Sequence, residues 1–188
     1  MKKIMLGLYL LVALSSMAQE KYAPVIKQGS KMHYSAYLNG QNFPCIFSLD
    51  SVTANYAKVG WTVEGFGSGS WIMKSKSLES GVRGYWNQPS PGTDEELAED
   101  QTAILFSKAQ WDMLQKDKKL NFDQQTFTLK TPSEQQQIKL SGKPVDAFLL
   151  ENPNGSTRIW LLNNAAFPVL LKIEGNTLGA DLTINSVE

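Results

Sequence analysis

The sequence has very little of what builds disulfide frameworks, metal centres and charged binding surfaces. Its 188 residues include one cysteine and one histidine, which excludes an intrachain disulfide and a His/Cys metal cluster. The 18 basic and 18 acidic residues balance, so no basic surface for nucleic acid is expected. No cofactor is predicted either. Beyond the first 18 residues no apolar run is long enough for a membrane span, which needs about 20 residues.

The first residues have the pattern of a secretory signal peptide. Lys2 and Lys3 precede the apolar run 4–14, and Ser16-Met17-Ala18 has the small-x-small pattern of a cleavage site. The residue after Ala18 is Gln19 rather than the cysteine of a lipoprotein. We therefore predict a signal peptide over 1–18 and a periplasmic or extracellular protein; the alternative is an uncleaved membrane anchor.

The remaining residues, 19–188, have the length of one domain and the pattern of β-strands. From Lys31 to Leu38 and again from Phe43 to Leu49, apolar and polar residues alternate, which is typical of half-buried strands. Asn39-Gly40 between them predicts a tight hairpin turn. Further strands are predicted around 57–63, from Trp71 to about Ser80 and over 102–106.

Two segments near the C-terminus are apolar on both strand faces, Ile159–Leu162 and Val169–Leu171, and such strands are covered on both sides. Ser107-x-x-Gln110 is a capping box that predicts one helix from Lys108 to about Lys118. One helix covers one face, so a folded-over half of the sheet, a loop or a ligand must cover the other. The prediction is a mainly β (α+β) fold: a strongly bent antiparallel sheet or half-barrel of roughly ten strands with one principal helix.

The segment 84–101 is interpreted as a long loop because prolines interrupt its middle. It contains Tyr85-Trp86, which we expect either to plug the open end of the bent sheet or to form part of a binding rim. It also contains the acidic residues Asp94, Glu95, Glu96, Glu99 and Asp100. These carboxylates lack the spacing of a calcium loop. They predict a solvated loop with a short helical turn begun by Thr93, and metal binding is the weaker alternative.

Several segments together resemble a known family. They are 100–107, Leu120-Asn121-Phe122-Asp123, Trp160-x-Leu-Asn-Asn and Phe167-Pro168-x-Leu-Leu-Lys172-Ile-Glu-Gly175. With these the chain resembles an uncharacterised family of exported bacterial proteins, a domain of unknown function. That family is distantly similar in fold to the half-barrel of periplasmic lipoprotein carriers, in which a curved sheet encloses an apolar groove. The resemblance implies export and fold, and it transfers no functional residue.

Residues with catalytic potential are few. His33 and Ser35 share a strand face but lack the motif of a nucleophilic serine, so a solvent-facing histidine is favoured. Cys45 is expected to be buried and inert. Asp50 and Glu64 lie on neighbouring strand segments, and only their separation decides whether they could act as a glycosidase pair.

The aromatic residues suggest binding rather than catalysis. We expect Tyr85, Trp86, Trp61 and Trp160 to bind a ligand, and the favoured function is an exported non-catalytic protein that holds an apolar or amphiphilic molecule in the concave face of the sheet. The second hypothesis is a cell-envelope structural or assembly factor that holds a protein partner by a sheet edge or the acidic loop. The third is a hydrolase.

Overall fold

The computed structural model describes residues 21–188, so the predicted signal peptide lies outside the described residues. The chain forms the strands β1 (Lys31–Leu38), β2 (Gln41–Thr53), β3 (Tyr56–Val63), β4 (Gly67–Lys74), β5 (Arg83–Gly84), β6 (Asp94–Glu96), β7 (Gln101–Thr102), β8 (Lys119–Phe122), β9 (Gln125–Lys130), β10 (Lys139–Leu140), β11 (Lys143–Pro144), β12 (Ala147–Glu151), β13 (Arg158–Leu162), β14 (Leu170–Glu174) and β15 (Asp181–Val187). The helices are α1 (Ser75–Ser80) and α2 (Lys108–Asp117), with a 3₁₀ turn at Glu134–Gln136.

Eleven strands form one bent sheet in the order β6-β4-β3-β2-β1-β15-β14-β13-β12-β9-β8. All neighbours are antiparallel except β4 and β6. The edge strands β6 and β8 do not pair with each other, so the sheet is an open half-barrel. The predicted mainly β fold with one principal helix is confirmed.

Two tight turns set the register of the long hairpins. Asn39 and Gly40 have φ angles of 52° and 78°, and Leu38 pairs with Gln41 across them, as the sequence predicts. The β8–β9 hairpin turns at Asp123 and Gln124, whose φ angles are 47° and 63° although neither is glycine. Asp is one of the few residues that tolerates this conformation, and the turn places Asp123 beside the site described below.

Helix α2 begins and ends where the capping signals predict. The Ser107 hydroxyl accepts from the Gln110 amide at 3.3 Å, and the Gln110 side chain accepts from the Ser107 amide at 2.9 Å. Lys118, in the left-handed conformation, ends the helix. The Gln110 side chain also donates to the Asn121 carbonyl at 2.8 Å, and this bond fixes α2 against β8.

Three local predictions are wrong. The strand expected from Trp71 to Ser80 ends at Lys74 and continues as α1, because the apolar alternation stops there and the buried Ser77 hydroxyl bonds the Gln101 carbonyl. The strand expected over 102–106 ends at Thr102, because Ile104 has a φ of 51°. Asp94–Glu96 is not a helical turn or a loop but strand β6, whose backbone pairs with β4.

The strand β13 is covered on both faces, as its sequence predicts. Ile159 through Leu162 are at most 3% exposed. On the concave side, Trp111 of α2 packs on Phe148 at 5.8 Å between ring centroids, and Phe148 pairs with Leu161. On the convex side, the Trp160 indole donates to the Gln136 carbonyl at 2.7 Å. The second cover is therefore the segment 131–146, a long connection that contains the 3₁₀ turn and the short hairpin β10–β11, rather than a ligand or a folded-over half of the sheet.

Candidate ligand-binding cavity

The concave face away from α2 encloses a cavity of about 540 Å³, a volume typical of small-molecule sites. Strands β1–β4, β14 and β15 form its floor, and the segments 84–89 and 102–106 form its sides. None of the described residues that line it is Asp, Glu, Lys, Arg or His. The aromatic residues in its wall are Phe43, Phe47, Trp61, Phe66, Trp71, Tyr85, Trp86, Phe106 and Phe122.

A cluster of aromatic rings makes up one wall. Trp71 lies at its centre, 5.7 Å from Phe47, 6.1 Å from Trp61 and 5.6 Å from Tyr85 between ring centroids. Trp61 continues the cluster to Phe66 at 6.2 Å. Ring pairs at these separations stabilise each other beyond the area that they bury, so this wall is preformed rather than assembled around a ligand.

Two consecutive side chains, named here the Tyr85–Trp86 clasp, connect the two edges of the open sheet. The Tyr85 hydroxyl donates to Glu95 Oε1 at 2.5 Å, on the edge strand β6. The Trp86 indole Nε1 donates to Asp123 Oδ2 at 2.7 Å, in the turn between β8 and β9 at the other edge. The clasp therefore joins edges that share no backbone pairing, and both of its side chains line the cavity.

The indole of Trp86 fits because two neighbouring positions are glycine. A Cβ at Gly84 would lie 2.5 Å from the Trp86 ring, and one at Gly179 would lie 2.9 Å from it. The Gly84 amide donates to Asp123 Oδ1 at 2.9 Å, so both carboxylate oxygens of Asp123 hold this loop. Burial raises the pKa of Asp123, although both bonds oppose the rise. Burial and the bond to Glu95 raise the pKa of Tyr85 to about 12, so this hydroxyl stays a donor at neutral pH.

The mouth of the cavity is rimmed by exposed apolar side chains. Leu38, Phe43, Phe66 and Leu178 are 37–56% exposed, and all four also line the cavity. Scattered exposed apolar residues are common on soluble proteins, but a group around one opening is not. The cavity is thus open to the surface through an apolar rim.

Three of the four predicted ligand-binding residues line this cavity. They are Tyr85, Trp86 and Trp61. Trp160 does not line it, and lies on the convex side with the Lys172 ammonium 5.0 Å from its ring centroid. Of the two roles expected for Tyr85-Trp86, the structure shows that they close one side of the half-barrel and form part of the cavity wall; a part in ligand binding stays a prediction.

The acidic residues are dispersed along the edge of the sheet rather than gathered round a metal site. Asp94 pairs with Lys58 at 2.8 Å, which lowers the pKa of Asp94 and raises that of Lys58. Glu96 pairs with Lys74 at 2.6 Å. Asp100 pairs with Arg83 at 3.1 Å, Glu95 accepts from Tyr85, and Glu99 is exposed. Within residues 21–188, no group of three or more His, Cys, Asp or Glu side chains is arranged to hold a metal ion.

The candidate catalytic pairs are not assembled. His33 Nε2 lies 3.2 Å from Glu188 Oε1, without the alignment of a hydrogen bond, and the Ser35 hydroxyl accepts from Asn185. Asp50 lies beside Lys58–Val59 of β3, whereas Glu64 follows the end of that strand. At the usual rise per residue, the backbone of Glu64 is about 17 Å from that of Asp50. A retaining or inverting carboxylate pair needs a shorter separation.

Cys45 is buried and lines the cavity. Burial raises the pKa of its thiol to about 12, so it is protonated and weakly nucleophilic at neutral pH. This agrees with the inert packing role that the sequence predicts.

Sequence reasoning missed Asp123 and the two glycines that admit Trp86. It also missed the rim residues Phe66 and Leu178. For Phe66 and Leu178 the sequence does contain a usable signal. Both lie in glycine-containing turns, where a large apolar side chain has no strand face to occupy.

No helix within residues 21–188 has the length and apolar character needed to cross a membrane. Comparison of the chain with protein-family models, with curated proteins and with solved structures found no match. The resemblance to an exported family and to the lipoprotein-carrier half-barrel therefore stays a prediction, and any function has to be argued from the cavity itself.

Proposed function

We propose that this is an exported, non-catalytic protein that binds one apolar or amphiphilic small molecule in the concave face of its sheet. The observation that carries the proposal is the cavity of about 540 Å³, whose described lining is uncharged and whose mouth is rimmed by exposed apolar residues. Concave, mostly apolar and preformed sites of this size are typical of small-molecule binding.

The energetics favour an apolar occupant. Each Å² of apolar surface removed from water contributes about 25 cal/mol, and both the wall and the rim offer such surface. A charged group placed against this uncharged aromatic wall would lose its hydration without gaining an opposite charge. An amphiphile would therefore place its chain inside and its polar group at the mouth.

The clasp supports the same function. It fixes the distance between the two sheet edges through side-chain bonds of 2.5 and 2.7 Å. A half-barrel whose edges are fixed keeps its cavity without a ligand, which lowers the cost of ordering on binding.

The test is a titration of the purified protein with N-phenyl-1-naphthylamine, an uncharged apolar fluorophore, followed by displacement with dodecanol. Saturable binding at one site per chain and competitive displacement are expected. Ala36→Phe places a ring inside the cavity, because Ala36 lines it, and should weaken probe binding at least about tenfold. Ala98→Phe, at an exposed position outside the cavity, is the matched control.

Failure of the probe to bind saturably, or equal affinity in wild type and Ala36→Phe, would contradict the proposal. A second measurement is native mass spectrometry of protein purified from its own host, where a bound mass lost on organic extraction is expected.

A further inference from the structure

The cavity ends at a closed layer of side chains on the side away from its mouth. On β1, Leu38 and Ala36 line the cavity, whereas Tyr34, the next residue on the same face, does not. Strands β2, β3, β4 and β15 show the same boundary, and on each of them the first residue beyond the lining is at most 3% exposed. These residues, named here the end layer, are Tyr34, Leu49, Val59, Met73 and Ile184.

The end layer is bonded to the cavity wall. The Tyr34 hydroxyl donates to the carbonyl of Leu170 on β14, and Leu170 lines the cavity. The Tyr34 ring also packs edge-on against Phe47, another lining residue, at 5.2 Å between ring centroids. A ligand that enters through the mouth therefore meets a closed end and cannot continue along the concave face of the sheet.

The cavity is wide for its depth. Leu38 at the mouth is four positions from Tyr34 of the end layer, and Val63 is four positions from Val59, which is about 13 Å at the usual rise per residue. Over this depth, the cavity volume of about 540 Å³ corresponds to a mean cross-section of about 40 Å², or about 7 Å across. The tilt of strands in a barrel shortens the depth along the axis, so the cavity is wider still.

We infer that the apolar part of the ligand is a compact ring system rather than an extended chain. Carbon atoms in contact lie about 3.5–4.0 Å apart, so an extended methylene chain on one wall would leave a gap along the opposite wall. Atoms that face a gap lose their contacts. A long chain would also stop at the end layer, with the rest of its length in water at the mouth. A ring system that spans the width touches both walls and fits within the depth.

The aromatic wall favours rings for a second reason. Trp71 is inclined by 29° to Trp61 and by 36° to Phe47, and all three rings belong to lining residues. A ring in the cavity can stack on these side chains or meet them edge to face, and such pairs are stabilised beyond the area that they bury. A rigid ring system also loses less conformational freedom on binding than a flexible chain does.

The inference rests on the proposed function, because it concerns the same cavity. The experiment is displacement of N-phenyl-1-naphthylamine from the wild type by two alcohols of equal carbon number, cyclododecanol and dodecan-1-ol. Cyclododecanol is expected to displace the probe at a concentration at least about threefold lower. A non-specific apolar surface would give the opposite order, because the open chain exposes more apolar area to water than the ring does.

A series of straight-chain alcohols locates the closed end. From octan-1-ol to tetradecan-1-ol, each added methylene should strengthen displacement about fourfold until the chain reaches the end layer, and longer alcohols should gain nothing further. Leu49→Ala removes part of the end layer and should move this limit to a longer alcohol. Leu162→Ala is the matched control, because Leu162 is equally buried and does not line the cavity, and it should leave the limit unchanged. Circular dichroism checks that both variants are folded.

A smaller advantage of cyclododecanol, or the reverse order, would overturn the inference and leave the proposed function standing. A gain per methylene that continues unchanged through tetradecan-1-ol would do the same, as would an equal limit in Leu49→Ala and Leu162→Ala. If Leu49→Ala does not fold, the comparison of the two alcohols on the wild type decides alone. Absence of saturable probe binding would remove both proposals.

Discussion

Both halves of the sheet have an apolar inner face, but a helix covers one of them and a cavity lies over the other. In the half formed by β12 and β13, helix α2 packs on the concave side and the segment 131–146 on the convex side, and Ile159–Leu162 are buried completely or nearly so. In the half formed by β1–β4, the concave face looks onto a cavity, bounded by the clasp and its loop instead of α2. An apolar strand face thus belongs to a solid core where a helix covers it and lines a hollow where a loop does. An apolar strand face predicts burial, and the element that crosses it decides what is buried there.

The largest effect that would test this comparison comes from the packed half. Trp160→Ala should lower the free energy of unfolding by about 3–5 kcal/mol, because a buried indole is lost and the Gln136 carbonyl loses its donor. Phe43→Ala, at a 37% exposed rim position of the open half, should cost about 1 kcal/mol or less. Urea unfolding of both variants measures the difference. Equal losses would show that the two halves are packed alike.

The next effect concerns the clasp. The Asp123 carboxylate accepts hydrogen bonds from two donors, the Trp86 indole and the Gly84 amide. In Asp123→Asn only one side-chain oxygen remains to accept both. We expect a loss of about 1–3 kcal/mol in the free energy of unfolding, since a buried donor is left without a partner, and weaker probe binding. Asp100→Asn, which breaks a half-exposed pair with Arg83, is the control and should cost less than about 0.5 kcal/mol. If Asp123→Asn left the free energy of unfolding and the probe affinity unchanged, the clasp would not be what holds the two sheet edges together.

A smaller effect is expected at the start of α2, the helix that fills the packed half. Ser107→Ala removes the hydroxyl that caps the Gln110 amide and should cost about 1 kcal/mol. Probe binding should not change, because Ser107 does not line the cavity. Ser80→Ala, at the exposed end of α1, is the control, with a smaller loss expected. A change in probe affinity in Ser107→Ala would show that the packed half and the open half of the sheet are not independent.

The smallest effect at neutral pH comes from Cys45 in the open half. Burial raises the pKa of its thiol to about 12, above the value of about 8.5 in an unfolded chain. The folded state therefore retains a proton that the unfolded state loses, and the free energy of unfolding falls as the pH rises from about 9 towards 12. Urea unfolding at pH 8 and pH 10.5 should show a shallower fall for Cys45→Ala. If the free energy of unfolding fell equally in the wild type and in Cys45→Ala, water would reach the thiol through the cavity.

Much of the fold follows from local sequence rules. The Asn39-Gly40 turn and the Ser107 capping box depend on residues within four positions of each other, and the strand pairs β1–β2 and β12–β13 join neighbours along the chain. Tyr85 and Trp86 could be singled out because a loop aromatic needs apolar cover.

The remaining features depend on contacts between distant residues. Asp123 holds Trp86 across 37 positions, and no local pattern relates them. Strand β6 pairs in parallel with β4, against the low strand preference of its three acidic residues, because Lys58, Ser70 and Lys74 engage two of their carboxylates and the Tyr85 hydroxyl the third. Helix α1 is only six residues long, too short for helical periodicity to appear.

Strand β6 also has a consequence for how copies of the protein meet. A sheet that does not close presents its outermost backbone groups to any other extended chain, and long uncharged edges of this kind recruit one another into aggregates. Here the outermost strand is three residues long and reads Asp94-Glu95-Glu96, so it offers few backbone groups, and its acidic side chains give an apolar strand no surface to pack on. This edge of the open sheet is therefore a poor template for the same edge of a second copy.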